Sequence, residues 1–328
     1  MLAVYDPSGT YSEHAGVVMT SIFENTKSKV IIHLLHDDTL NEDNRKKFIR
    51  TAEKYSQQID FVDVTRYREQ IGKDIADFYK YRLTIGALYR LLTWKVLDID
   101  KVIYLDCDIF VNLDILELWK IDVSNHYMAA TIDMYFHNVR GFSDVKVQCM
   151  LQGSNRSKYI CSGVLVMNLK KLRERENLFE DAIDWLKWHP HLAGSADQDA
   201  FNSMLHDEIK IIDIKFDYQD VNAKDFSDKI IHAGAGQKLW GGIVNSKLSS
   251  LYWKTYLLSA WGENCSIDEI IDRLCEVSAN SQYTHKNWKQ CMKRVKEGIN
   301  NMIRRRFTGI ITLLVRDVYY RIKHKFSR

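Results

Sequence analysis

Proline is almost absent from this chain, which has only Pro7 and Pro190 among its 328 residues. No stretch rich in proline, glycine and serine divides it, so the sequence indicates no flexible linker and no clear boundary before about residue 260. No apolar run approaches the roughly 18 residues that mark a membrane-spanning helix. With 46% hydrophobic residues, the chain can fill a sizeable core.

The cysteines lie far apart, without CxxC or CxxxC spacing, which argues against both a zinc site and a disulfide framework. We expect reduced, mostly buried thiols. The opening residues, MLAVYD, enter a strand-like run without the basic and apolar regions of a secretory signal. Together these features predict a cytoplasmic protein.

The usual nucleotide-binding motifs are missing as well. The first predicted strand leads through Asp6-Pro-Ser8-Gly-Thr-Tyr11 into a helix, with neither GxGxxG nor GxxxxGK[ST]. Small polar residues and backbone N–H groups at a helix N-terminus can still hold part of a nucleotide. An ordinary strand-to-helix turn explains the same residues.

Short β-branched runs alternate with helical patterns along the chain, which predicts an α/β fold with a mostly parallel sheet covered on both faces. The predicted strands are Leu2–Tyr5, Val30–Leu35, Ile59–Val64, Val102–Leu105, Met128–Ile132, Val164–Met167, Ile209–Ile214 and Lys229–Ile231. The predicted helices are His14–Glu24, Asn41–Ser56, Tyr81–Leu97 and Asp181–Lys187, and Asn41-Glu-Asp-Asn is a plausible helix start.

Three polar clusters follow predicted elements. Asp106 and Asp108 end an apolar strand, and two hard oxygen donors there suit Mg²⁺ or Mn²⁺. A solvated turn is the alternative. His232, followed by Gly234, Gly236 and Lys238, combines a metal-ligating type with glycines that admit a phosphate and a lysine that can neutralise a diphosphate. A lone core histidine is the alternative there.

The third cluster, Asp197-Gln198-Asp199, opens a helix and can grip sugar hydroxyls. Helix capping by Ser195 or Asp197 explains it equally well.

The order of four motifs resembles glycosyltransferase family 8, the bacterial retaining enzymes related to lipooligosaccharide galactosyltransferase and glycogenin. The resemblance covers about residues 2–245. The motifs are Tyr104-Leu-Asp106-Cys-Asp108, Ser162-Gly163-Val-Leu-Val-Met-Asn168, Asp197-Gln198-Asp199 and His232-x5-Lys238-x-Trp240.

This resemblance implies a GT-A fold that uses a UDP-sugar and Mn²⁺, or Mg²⁺, with a nucleotide-binding part over about 1–115 and an acceptor-binding part over about 116–260. By the same resemblance, the metal ligands are Asp106, Asp108 and His232. Arg90 corresponds to an arginine that touches phosphate and sugar, Tyr11 to an aromatic that stacks on uracil, and Lys238 to a lysine on the diphosphate; Gly234 and Gly236 share its loop.

For the donor sugar, the resemblance implies that Asp197 and Gln198 lie beneath the reacting anomeric carbon and that Asp133 binds sugar or acceptor hydroxyls. This chain departs from the family where Cys161-Ser162-Gly163 replaces Asn-Ser/Ala-Gly, so Ser162 would supply a hydrogen bond to the sugar. Asp6-Pro-Ser-Gly-Thr also replaces Asp-Asp-Asn, leaving open whether Asp6 or Ser8 reads the uracil edge. The glycines after His232 stand two and four residues on, where the family has one at three.

The predicted function is retaining transfer of glucose or galactose to a saccharide acceptor, lipid-linked or on a glycoprotein. The predicted acceptor-facing loop is Tyr135–Lys158. A nucleotidyltransferase would show a glycine-rich basic loop near the first strand, and this chain has none. The alternative outside enzymes is an inactive UDP-sugar-binding accessory subunit.

Residues 261–328 form a predicted helical extension. Residues 293–328 hold eleven Lys/Arg against two acids, a local charge of +9 in a chain of net charge +3. Apolar residues recur every three or four positions over 299–328, which fits a peripheral helix on an anionic membrane, at its inner face. A helix packed on the main domain or on a second subunit is the alternative, and no nucleic-acid partner is expected.

Overall fold

The computed structural model describes residues 1–71, 85–134, 158–188, 195–234, 238–240, 246–263, 265–266 and 268–269. The predicted basic helix over 299–328 lies outside these residues. Gly236 and nearly all of the predicted acceptor-facing loop also lie outside them.

Three parallel strands form the first sheet, in the order β1 (Leu2–Val4), β2 (Ile31–His36) and β3 (Gln58–Asp63). The connecting helices are α1 (Ser12–Asn25) and α2 (Glu42–Lys54). Helix α2 begins where the sequence predicts, because the Asn41 side chain accepts a hydrogen bond from the Asn44 N–H at 2.8 Å.

A second sheet has the order β4 (Lys101–Leu105), β7 (Val164–Asn168), β6 (Met128–Ala130) and β8 (Ile209–Ile211). Strand β7 runs antiparallel to both neighbours, whereas β6 and β8 are parallel. The Leu105 N–H donates to the Met1 carbonyl at 3.0 Å, so β4 lies beside the first sheet. The α/β prediction is confirmed, with antiparallel pairs that the alternation of elements did not indicate.

A short strand that the sequence did not reveal, β5 (Ile109–Asn112), pairs antiparallel with β9 (Lys229–His232). In this register Ile109 faces His232. The pairing matters for function because it carries the end of β9 to the acidic turn between β4 and β5.

Residues 65–71 are also helical. Further α-helices are α3 (Thr93–Val96), α4 (Leu116–Trp119), α5 (Leu169–Glu174), α6 (Leu178–Trp188), α7 (Asp197–Leu205) and α8 (Ser246–Leu258). Three 3₁₀ segments cover Ile85–Leu92, His206–Glu208 and Ile214–Asp217.

Two predicted elements change type along their length. The described part of the predicted helix Tyr81–Leu97 is the 3₁₀ segment Ile85–Leu92 followed by α3. The predicted strand Ile209–Ile214 stops at Ile211, and the Asp213 side chain starts the last 3₁₀ segment by accepting from the Lys215 N–H at 2.8 Å.

Helix α8 packs on α1, and the segment after it stays attached to the domain. The Trp261 indole lies edge-on to Phe48, with ring centroids 4.8 Å apart, and donates to Asn44 Oδ1 at 3.0 Å. Arg50 pairs with Glu263, so packing continues three residues past the predicted boundary at 260. Among the described residues, no helix has both the length and the apolar character to cross a membrane.

Candidate active site

The three predicted metal ligands lie together where β4, β5 and β9 meet. Asp106 and Asp108 flank the buried turn between β4 and β5, and His232 ends β9. His232 Nε2 is 3.4 Å from Asp108 Oδ1 and 4.0 Å from Asp106 Oδ2. One donor atom from each residue lies within 4.8 Å of the others, a spacing that suits a divalent cation. Two carboxylates with one imidazole form a mainly hard donor set of the kind that Mn²⁺ or Mg²⁺ accepts.

The His232 ring sits in a space that only glycine leaves open. A Cβ on Gly163 would lie 2.3 Å from His232 Cε1 and 2.6 Å from Nδ1. The Gly163 carbonyl also accepts from the Asp106 N–H at 2.9 Å. The glycine of the Ser162-Gly163 motif therefore brings β7 close to the acidic turn and makes room for the imidazole.

The far side of the ring contacts a residue that the sequence analysis missed. His232 Nδ1 is 2.9 Å from Asp217 Oδ1 and 3.6 Å from Cys161 Sγ. Fifteen positions separate Asp217 from His232, and Asp217 follows no strand and belongs to no recognised motif. Only the packing of the chain reveals this contact.

Arg90 links three of the predicted site residues. Its guanidinium donates to Ser162 Oγ at 2.8 Å and to Asp106 Oδ1 at 2.7 Å, and Nε lies 3.0 Å from Asp197 Oδ2. Its plane also lies over the Tyr104 ring, 4.6 Å from the centroid. The Arg90 side chain is only 5% exposed, and it connects the acidic turn to helix α7 through hydrogen bonds and ion pairs.

A second chain of hydrogen bonds runs through Gln198. Its Oε1 accepts from the Ser162 N–H at 3.0 Å, and its Nε2 donates to Asp133 Oδ2 at 2.9 Å. Ser162 Oγ in turn donates to Asp197 Oδ2 at 3.1 Å. The structure thus joins the predicted donor-sugar residues in one buried network beside Asp106, Asp108 and His232.

Further residues of helix α7 form buried hydrogen bonds next to this network. Asp199 is fully buried and accepts from the Tyr159 hydroxyl at 2.5 Å and from the Ser195 N–H at 2.6 Å. The Asn202 side chain bonds both backbone groups of Ile160. Asp199 and Asn202 thereby connect α7 to Tyr159 and Ile160.

Lys238 and an aromatic group border the triad. Lys238 Nζ contacts Asp108 Oδ2, and the lysine side chain is 40% exposed. Trp240 stacks on His14, with centroids 3.5 Å apart, and meets Tyr11 edge-on at 6.4 Å. Trp240, at the end of the fourth motif, thereby packs against the start of α1.

The two candidates for reading a base edge occupy different environments. Asp6 is buried, and its carboxylate accepts from the Tyr11 N–H, the Ser12 N–H and the Ser12 hydroxyl at 2.6–2.8 Å. Asp6 therefore holds the first turn of α1. Ser8 is exposed, and its hydroxyl lies 2.7 Å from Thr10 Oγ1.

Burial and neighbouring charges shift the pKa values of the site carboxylates in different directions. Burial raises the pKa of Asp106, although Arg90 opposes it. Burial also acts to raise the pKa of Asp108, but His232 and Lys238 outweigh it and hold that pKa below the usual value. Burial raises the pKa of Asp197 to about 6 despite the adjacent Arg90. Acidic groups so close together favour a bound cation.

Known proteins that are similar to this chain include several glycosyltransferases. A putative glycosyltransferase of Haemophilus influenzae is 29% identical over 221 residues, which are 66% of this chain and 63% of that protein. The lipopolysaccharide 1,2-glucosyltransferase of Escherichia coli is 24% identical over 76% of each chain. The crystal structure of the galactosyltransferase LgtC with donor and acceptor sugar analogues superposes with a TM-score of 0.61 at 20% identity, covering 88% of this chain and 99% of that one.

The fold is therefore of the GT-A class, as predicted. The model of glycosyl transferase family 8 matches residues 4–235, which contain the acidic turn, both buried networks and His232. The chain belongs to this family.

Proposed function

We propose that this protein transfers glucose or galactose from a UDP-sugar to a saccharide acceptor, with retention of anomeric configuration and with Mn²⁺ as the preferred cation. The observation that carries the proposal is the convergence of Asp106, Asp108 and His232 within 4.8 Å. Support for a hexose donor comes from the lipopolysaccharide glucosyltransferase among the relatives and the galactosyltransferase among the solved structures.

In this proposal Asp106, Asp108 and His232 hold the cation, which would neutralise the diphosphate as it leaves. Lys238 adds a second positive charge, because its exposed Nζ can turn from Asp108 to a diphosphate oxygen. Tyr11 and Ser8, which lie in the loop between β1 and α1, would contact the uridine. The nucleotide part would then span about residues 1–115 and the acceptor part about 116–260.

The donor sugar would lie over Gln198, with Asp133, Asp197 and Ser162 around it. The C1–O bond to the diphosphate breaks while the acceptor hydroxyl attacks C1 from the same face, and its proton passes to the diphosphate oxygen. We favour this front-face route over a covalent sugar intermediate because the Gln198 amide is a poor nucleophile. The nearest carboxylates, Asp133 and Asp197, already accept hydrogen bonds from Gln198 and Ser162.

The test is release of UDP from a panel of UDP-sugars by the purified protein, with Mn²⁺, with Mg²⁺ and after chelation. Metal-dependent release from one donor is expected and would name the sugar. Asp106→Asn should abolish it, whereas Asp100→Asn should not, because Asp100 lies just before β4 with a 79% exposed side chain. Full activity of Asp106→Asn with Mn²⁺ would disprove the metal assignment. Binding of UDP with no release from any donor would favour an accessory subunit.

The acceptor and the place of the reaction rest on the sequence of residues 299–328. We propose that this basic, amphipathic stretch attaches the enzyme to an anionic membrane surface, where it would extend a lipid-linked glycan or modify a protein awaiting export. Removing the residues after 297 should release the protein from anionic liposomes and leave UDP release intact. Loss of folding would instead indicate a helix packed on the domain.

A further inference from the structure

We propose that Asp217 is a positioning residue, one that orients His232 so that Nε2 faces the two aspartates of the acidic turn. The inference rests on the proposed metal site and adds a residue that none of the predicted motifs contains. Its support comes from the backbone pairing around β9, from the burial of Asp217 and from the chemistry of the hydrogen bond between the two side chains.

Backbone hydrogen bonds fix Asp217 beside the histidine. The Tyr218 N–H donates to the Ile230 carbonyl at 2.7 Å, and the His232 N–H donates to the Tyr218 carbonyl at 3.0 Å. The segment that carries Asp217 therefore runs alongside β9 in a defined register. Asp217 reaches the ring from the side opposite to Asp106 and Asp108.

The direction of the hydrogen bond follows from the acceptor. An ionised carboxylate can only accept, so His232 Nδ1 must carry the proton in its 2.9 Å contact with Asp217 Oδ1. In a neutral ring the lone pair then lies on Nε2, which is the nitrogen that faces Asp108 at 3.4 Å. Ligating histidines in metal sites are commonly oriented in this way by a carboxylate on the second nitrogen.

Burial makes the Asp217 carboxylate depend on a polar partner inside the protein. Its side chain is fully buried, and within the described residues its Oδ2 has no hydrogen-bond partner. Burying a carboxylate is unfavourable unless it is paired, and His232 is the polar side chain it contacts. Cys161, the other neighbour of Nδ1, is a weaker partner because burial raises the pKa of its thiol and keeps it neutral.

The experiment compares Mn²⁺ binding by the full chain and its variants, followed by electron paramagnetic resonance of the free ion. Asp217→Ala should weaken Mn²⁺ binding by about 10- to 100-fold, and Asp217→Asn, which keeps an acceptor oxygen, should lose less. Asp228→Asn is the matched control. It makes the same chemical change just before β9, at a residue whose side chain is 65% exposed and whose positive φ of 53° asparagine tolerates.

A second measurement separates orientation from general stability. In ¹⁵N-histidine-labelled, metal-free protein, His232 should show a protonated Nδ1. This signal should change strongly in Asp217→Ala, less in Asp217→Asn and not in Asp228→Asn. Mn²⁺ binding within about twofold of wild type, with an unchanged His232 signal, would overturn the inference. If Asp217→Ala does not fold, Asp217→Asn decides by the same criteria. Absence of Mn²⁺ binding by the wild type would count against the proposed function, while the nitrogen signal would still decide the role of Asp217.

Discussion

Replacing Gly163 with alanine should displace His232 and weaken Mn²⁺ binding, although none of the proposed ligand residues is itself replaced. The new methyl carbon would lie 2.3 Å from Cε1 and 3.0 Å from Nε2 of the ring. The ring cannot simply swing away, because Asp217 holds Nδ1 on one side and the acidic turn lies on the other. The imidazole or the start of β7 must move.

The size of the effect follows from this overlap. Extra methyl groups in a packed interior cost roughly 1–3 kcal/mol of stability. Disturbing the residues that orient a metal ligand lowers metal affinity by about 10- to 100-fold. Because every tenfold change in affinity corresponds to about 1.4 kcal/mol, the expected weakening of Mn²⁺ binding is about 1.4–2.8 kcal/mol.

The assay measures thermal unfolding and Mn²⁺ affinity on the same protein. Gly16→Ala is the matched control, because its added methyl would lie 2.3 Å from the Trp261 ring, between α1 and the segment after α8. Both variants should lose stability, but only Gly163→Ala should lose Mn²⁺ affinity. Equal Mn²⁺ affinities in the two variants would refute the argument that Gly163 makes room for a metal ligand.

Two further predictions concern buried charges. Arg90→Lys should destabilise the protein by about 1–3 kcal/mol in urea unfolding, since one ammonium cannot serve Asp106, Ser162 and Asp197 together. The exposed Arg50→Lys should change stability by less than about 0.5 kcal/mol. Equal losses of stability in the two variants would contradict the role of Arg90 as a shared partner of Asp106, Ser162 and Asp197. Burial acts to raise the pKa of Asp37, but hydrogen bonds from Thr39, Tyr89 and Arg68 outweigh it and lower that pKa. Its stabilisation is present above the unfolded pKa of about 3.9 and is lost as pH falls through the lower folded value. Asp37→Asn should therefore be less stable than wild type at pH 7, with a gap that narrows under acid; a gap independent of pH would contradict this.

The helices and strands, and the cluster of Asp106, Asp108 and His232, could be predicted from the sequence. The patterns that indicate them lie in neighbouring residues. A buried strand shows as a β-branched run, and polar residues directly after it fall at the sheet edge. Asp106, Asp108 and His232 could thus be selected in advance, and the structure places them together. The start of α2 at Asn41 is likewise a matter of neighbouring residues.

The partners of these residues depended on contacts between distant segments. Strand β5 escaped notice because its four residues have no clear period of their own and are stabilised by pairing with β9. Asp6 stays a predicted uridine contact, and the sequence did not reveal that its carboxylate also accepts from the backbone at the start of α1. Sequence spacing gives no indication of such long-range pairings.

The sequence by itself determined the alternating α/β order and the carboxylate and imidazole side chains at the ends of strands. Only the tertiary structure decided how they are held, because hydrogen bonding and steric exclusion act between residues far apart in the chain. It places Gly163 against His232, gathers Asp106, Ser162 and Asp197 around Arg90, and brings Asp217 to the second nitrogen of His232.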